Sequence, residues 1–302
     1  MLQTLIDSKS SVFKPLLSKI RGVHQNILTK ECVFRGVGVH SGEEVEMKVS
    51  PSLKEGYTFI RSDICENNEI DGVFFNVTST MMSTALENTW GAQIKTVEHI
   101  LAALYGLHIY NAEISISGPE IPIMDGSSFE FVEVLKKCMK PVWLGYASPK
   151  IFKVTKPVRV ESKTGYAEFL PSKKRTFDVL FDFAGNFSGT PYEGSFYFDL
   201  ENDSFESLLS DARTFGLYDD AKKLQDMGLA KGASLKNTVI IKDSNVMNED
   251  GLRSQDEMIR HKVLDAIGDI ALCGGIIQGS YKAYNPGHDL NNKLLHAYFK
   301  SL

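Results

Sequence analysis

The segment Arg260-His-Lys-Val-Leu-Asp-Ala-Ile-Gly-Asp269 carries a spacing with chemical potential. On an α-helix His261 and Asp265 stand about 40° apart and one turn along the axis. Ile259, Val263, Ala266, Ile267 and Ile270 take the opposite, apolar face. A neutral imidazole and a carboxylate on consecutive turns can reach one cation, and that donor pair suits zinc. The same spacing also describes an exposed His–Asp pair, worth roughly a few tenths of a kcal/mol. Glu98-His99 is a second candidate. Adjacent helical residues diverge by ~100°, so at a shared metal one would ligate while the other accepts a proton beside it. An ordinary capped helix with charges in its first turn has the same sequence, and the single-helix HExxH pattern is absent. His288 follows Pro286-Gly287. It reads either as a mobile surface residue or as a general acid on a positioned loop. Asp211-Ala-Arg-Thr-Phe-Gly216 gathers a cation, a hydroxyl and an aromatic ring around a glycine, as a substrate turn or a strand end would.

The elements that must position these groups are readable from periodicity. TVEHILAALYGL predicts a helix with Thr96 as N-cap and Val97, Ile100, Leu101 and Leu104 on its apolar face. Glu43–Val49 and Ala112–Ser117 alternate like half-buried strands. PEIPIMDGSS leads into a helix over Phe129–Met139, with Ser127 and Glu130 as a capping box. Strand-like runs follow at Ile151–Val160, Tyr166–Leu170, Phe177–Phe183 and Thr238–Lys242. A long helix is expected over Gln255–Leu272, capped by Ser254 with Glu257 and stopped by Gly274-Gly275, and a last one over Asn291–Lys300. Each half thus has strands first and helices later, which predicts an α+β protein of two domains with mainly antiparallel sheets. The boundary falls in Lys140–Lys150, giving domains 24–146 and 147–302 behind an extension of residues 1–23. No residue-level internal repeat is visible.

The chain has 302 residues, 33 of them Lys or Arg and 38 Asp or Glu, for a net charge of -5. That balance argues against a nucleic-acid partner, which needs a cationic surplus, but not against a small anionic ligand held by a few cations. Cys32, Cys65, Cys138 and Cys273 form no C-x-x-C pair and read as free thiols in a reducing compartment. No apolar run approaches the ~20 residues that span a bilayer. The first 23 residues, with Phe13, Leu16, Leu17 and Ile20 at helical spacing, read as a short amphipathic extension without a secretory core. A cytoplasmic location is the resulting expectation.

Taken in order, TVEHILAALYGL, PEIPIMDGSS, DARTFGL, NEDGLRSQDEMIRHKVLDAIGDIALCG and GHDLNNKLL resemble the UDP-3-O-acyl-N-acetylglucosamine deacetylases, zinc amidohydrolases of lipid A synthesis in Gram-negative bacteria. The resemblance runs from about His24 to the C-terminus. It implies a two-domain sandwich with the active site at the domain interface. It also implies zinc on His99, His261 and Asp265, with Fe(II) suiting the same donors. Glu98 becomes the expected base, Thr214 an oxyanion donor, His288 a cation that stabilises the developing charge and Asp269 the carboxylate that orients it, with either Glu98 or His288 protonating the departing amine. Lys262 and Arg260 are candidates for the diphosphate end, Asp182 and Phe183 for the uracil site, and Phe215 and Gly216 for the sugar. The acyl chain would occupy an insert at about 216–237, where Leu217, Leu224, Met227, Leu229 and Leu235 equally suit ordinary core. The implied partner is a UDP-linked acylated amino sugar bound by a monomer. Three departures stand out: Ser83 where many members carry Cys, Asn285 where a basic residue is common, and the extension of residues 1–23, which has no assigned counterpart.

Overall fold

The computed structural model describes residues 25–142, 149–183 and 193–302. The extension expected at 1–23, and residues 143–148 of the expected domain junction, lie outside these. Two five-stranded sheets dominate. The first runs Cys32–Val37, Glu44–Ser50, Asn111–Ile116, Gly56–Arg61, Glu69–Asp71 from edge to edge. The second runs Val158–Glu161, Tyr166–Leu170, Ser280–Tyr284, Thr176–Asp182, Glu193–Asp199. In chain order both sheets read 1-2-5-3-4, and in both only the pairing of the third and fifth strands is parallel. The repeat that is invisible residue by residue is therefore plain in the topology. Alternation explains the strand faces: Val45, Met47 and Val49 point inward from one strand, and Ala167 and Phe169 from another.

The helices extend the correspondence. In each half one helix precedes the fifth strand and one follows it: α1 (Glu98–Gly106) and α2 (Phe129–Lys136) in the first half. In the second half α5 (Glu257–Ile270) and α6 (His288–Lys300) take these places, with α3 (Phe205–Leu208) and α4 (Tyr218–Asp226) ahead of α5. Each half also places an insert between its fourth strand and its helix. The first holds the small sheet Val77–Ser79, Ala85–Glu87, Gln93–Ile94; the second holds Phe215–Leu217, Val239–Lys242, Asn245–Val246 together with α3 and α4. Two of the fourteen residues of α5, Arg260 and Lys262, are not buried; all nine of α1 are. These helices pack on each other, and α5 covers the second sheet. Gly268 permits the close approach, because a Cβ there would collide with the Glu98 carbonyl oxygen. Among the described residues no helix is long and apolar enough to cross a membrane.

Several expected boundaries move, each for a local reason. Thr96 is not the N-cap of α1: its backbone is left-handed (φ 59) and its hydroxyl donates to Glu120, so Val97 precedes the helix. The Ser127–Glu130 box does not form, since Ser127 is taken by Asp125 and by the Phe129 N–H. Ser254 does not cap α5 with Glu257, whose carboxylate receives Arg213 and the Arg253 N–H instead. The run Ile151–Val160 splits into Ile151–Lys153 and Val158–Glu161 around Pro157, which cannot donate to a ladder. The last helix starts at His288 rather than Asn291.

Candidate metal centre and active site

Helix α1 from one half and α5 from the other bring His99, His261 and Asp265 together, all buried. One ligand atom from each lies within 4.8 Å of the others. His261 Nε2 is 3.3 Å and His99 Nε2 3.7 Å from the same oxygen, Asp265 Oδ1. The two imidazole rings stand perpendicular with centroids 5.0 Å apart. His261 Nδ1 lies 3.0 Å from the Ala212 carbonyl, which can only accept. That contact puts the proton on Nδ1 and leaves Nε2 as an inward-facing lone pair. Burial, reinforced by the neighbouring His261, pushes His99 down to about 3, and burial also lowers His261 although Asp265 opposes it. Burial raises Asp265, but His261 and Lys262 outweigh it and hold the carboxylate well below its usual range. Two neutral imidazoles and an ionised carboxylate thus converge in a buried space, a donor set that fits a divalent cation preferring nitrogen and oxygen.

Beside this triad lies a second network. Glu98 Oε2 accepts from the Thr84 N–H at 3.0 Å, and Oε1 faces His288 Nε2 at 3.8 Å. His288 Nδ1 is 2.8 Å from Asp269 Oδ2, which also accepts from Asn291 Nδ2 at 2.8 Å; Asp269 Oδ1 accepts from Thr84 Oγ1 at 2.6 Å. Tyr281 OH fixes Asn291 in turn. Burial pushes Glu98 up to about 8, with Asp269 and Asp265 adding to it and His288 opposing. Burial would lower His288, but Asp269 and Glu98 overcome it and raise the imidazole to about 10. One group is a carboxyl held near neutrality and its neighbour a stable imidazolium, an assignment of base and acid by environment.

Both groups open into one cavity of about 770 Å³ lined by residues of both inserts. Thr214, Phe215, Gly216 and Lys262 line it near the triad. Thr214 is pinned through its N–H to the Gly126 carbonyl, and beside it the buried Arg213 pairs with the buried Glu257 at 2.7 Å. Lys262 Nζ lies 3.1 Å from Asp265 Oδ2 and over the rings of Phe215 and Phe181. The second insert lines it with the apolar Leu217, Leu224, Met227, Ala230 and Ile240, and with Asp220 and Lys223. Of the five insert residues open to a core reading none is buried, and Leu217, Leu224 and Met227 face the cavity. Leu235 is exposed.

Three expected contacts lie elsewhere. Phe183 is buried against Phe181 and Phe215, and it is Phe181 that lines the cavity, while the Asp182 N–H donates to Asn285 Oδ1. Arg260 turns away to Asp256 and the Leu208 carbonyl. Ser83 and Asn285 both line the cavity. Thr84 gives no signal in the sequence, whereas Ala212, whose carbonyl orients His261, lies inside the Asp211–Gly216 motif. Asn291 sits in the GHDLNNKLL motif, one turn after His288.

Residues 25–300 match the family model described as UDP-3-O-acyl N-acetylglycosamine deacetylase. A protein named UDP-3-O-acyl-N-acetylglucosamine deacetylase from Histophilus somni (strain 129Pt) is 40% identical over 276 residues, covering 91% of this chain and 90% of that one. A protein of the same name from Legionella pneumophila (strain Corby) is 42% identical over 263 residues, covering 86% and 84%. With nearly the whole chain matched and both halves of the site inside the match, this chain belongs to the UDP-3-O-acyl-N-acetylglucosamine deacetylase family.

Proposed function

We propose that the chain hydrolyses the N-acetyl group of a UDP-3-O-acyl-N-acetylglucosamine, releasing acetate and a free amine in lipid A biosynthesis. The observation that carries this reading is the meeting of His99, His261 and Asp265 beside Glu98 and His288 in one cavity. His99, His261 and Asp265 would hold zinc, with Fe(II) as the alternative occupant of the same donors. When bound, the cation supplies Lewis acidity, polarising the acetamide carbonyl and acidifying water toward neutral pH.

The residues do the rest. A Glu98 carboxylate oxygen takes the proton from the attacking water, whose oxygen bonds to the carbonyl carbon. The Thr214 side chain donates to the oxygen on which negative charge develops. His288, charged by Asp269, stabilises that charge and passes its Nε2 proton to the sugar nitrogen as the C–N bond breaks. The acid product loses its proton and leaves as acetate with the free amine; Glu98 gives up its proton and His288 takes one back, so both residues return to their starting states. Lys262 is proposed at the diphosphate end, Phe215 and Gly216 at the sugar, and the 216–237 insert around the acyl chain. The setting proposed is a cytoplasmic monomer divided near residues 146 and 147.

Glu98→Gln tests the assignment of the base. Metal content should be unchanged while turnover falls by ~10²–10⁴, the range for removing a general base. Unchanged turnover would remove Glu98 from that role.

A further inference from the structure

We propose that Glu120 and Thr96 form a buried clasp that positions Glu98 and His99 against the cavity wall, which makes Glu120 a positioning residue; this rests on the roles assigned above to Glu98 and His99. Glu120 is fully buried and takes no part in the steps just described. Its carboxylate gathers three uncharged donors from two separate segments. Oε1 accepts from Thr96 Oγ1 at 2.9 Å and from the His40 N–H at 3.0 Å, and Oε2 accepts from the Ser41 N–H at 2.7 Å.

One side of the clasp holds the entry to α1. Thr96 is β-branched yet left-handed, a conformation that persists only where its surroundings over-determine it. Glu120 supplies that constraint through the hydroxyl, and the backbone adds to it: the Lys95 N–H donates to the Pro119 carbonyl and the Ile121 N–H to the Lys95 carbonyl. Two residues on, the chain enters α1 at Glu98, with His99 next.

The other side holds a wall. Val39 and His40 line the cavity, and their carbonyls accept from the Gly232 and Lys231 N–H groups, next in the chain to Ala230, which lines it too. The loop passes so close to the carboxylate that a Cβ at Gly38 would collide with it. One buried carboxylate therefore ties the base and a metal-ligating histidine to the surface against which an acyl chain would lie. A shift of either side displaces the reacting groups from the substrate, and misplacements of about 1 Å cost up to ~100-fold in rate.

Thr96→Gly is the decisive variant, because it removes the hydroxyl while relieving the left-handed backbone. The purified full-length protein is depleted of metal, titrated with Co(II) and followed by visible absorption, and acetate release is measured after zinc loading. We expect a melting temperature held or raised, a kcat lower by ~10–100-fold, and Co(II) bound ~10-fold more weakly with an altered spectrum. Thr96→Ser, which keeps the hydroxyl, recovers both readouts. Glu120→Gln, able to accept from the two N–H groups and donate to Thr96, stays closer to wild type than Glu120→Ala. A stable Thr96→Gly protein with wild-type kcat and an unchanged cobalt spectrum would overturn the clasp. Failure of the wild-type protein to release acetate would instead sink the proposed function, while the cobalt spectra still judge the clasp.

Discussion

Replacing Asp269 by asparagine separates the charge of one buried carboxylate from its shape. Asp269 takes two donors on Oδ2, from His288 and Asn291, and one on Oδ1, from Thr84 Oγ1. An asparagine can keep its carbonyl toward His288 and Asn291 and turn its amide toward Thr84, whose hydroxyl can rotate to accept. That exchange leaves the second amide N–H and the Thr84 hydroxyl proton without an acceptor, so the expected loss of stability is about 1–3 kcal/mol, the cost of unsatisfied buried donors. Function should change more. Asp269 is the chief influence raising His288, which stands at about 10, against the lowering effect of burial. Without that charge the imidazole falls toward its ordinary ~6.5, leaving only ~3% protonated at pH 8. The sign follows: the raised histidine stays charged until pH passes its elevated value, so the variant loses activity at a lower pH than wild type. Acetate release by the zinc-loaded protein should therefore drop by ~30-fold at pH 8 but by less than ~2-fold at pH 6. In a His288→Gln background, Asp269→Asn should add no further pH-dependent loss, because the two act as one unit. A basic limb at the wild-type pH in Asp269→Asn would refute the reasoning, as would the same limb surviving in His288→Gln.

Two further perturbations probe how the halves are held and what the cavity admits. Gly268→Ala would drive a Cβ into the Glu98 carbonyl oxygen, so α1 and α5 must separate. A loss of about 1–3 kcal/mol in urea unfolding and a weaker metal site are expected, and an unperturbed melting curve would contradict the packing. Leu224→Trp narrows the cavity where α4 lines it. KM for a long-chain substrate should rise by ~10-fold or more while a short-chain analogue is little affected, given roughly 1–3 kcal/mol per misfit in an apolar pocket; equal effects on both would show that the chain lies elsewhere.

The sequence made the local chemistry legible and left its assembly hidden. His261 and Asp265 share one helix, so 3.6-residue geometry alone relates them. His99 reaches them only because α1 packs on α5 at Gly268, a contact that no periodicity reports. The ordered motifs supplied that link through resemblance. Helix ends were read less well wherever a capping side chain had another partner, as Thr96 has in Glu120 and Glu257 has in Arg213. The duplicated 1-2-5-3-4 sheets were unreadable because topology can repeat without identical residues. The resemblance places Phe183 at the uracil, yet Phe183 shares the parity of Phe181 and packs behind it just past the strand end, so depth along one face, which alternation does not report, decides which ring meets the cavity.

The central claim is that His99, His261 and Asp265 hold a divalent cation on which acetamide hydrolysis depends. It is tested most directly by acetate release from UDP-3-O-acyl-N-acetylglucosamine, with metal content measured on the same samples before chelation, after it and after zinc is returned. One metal per chain, activity lost on chelation and restored by zinc, and neither metal nor activity in Asp265→Ala are the predicted results. Full activity in protein stripped of metal would contradict the account.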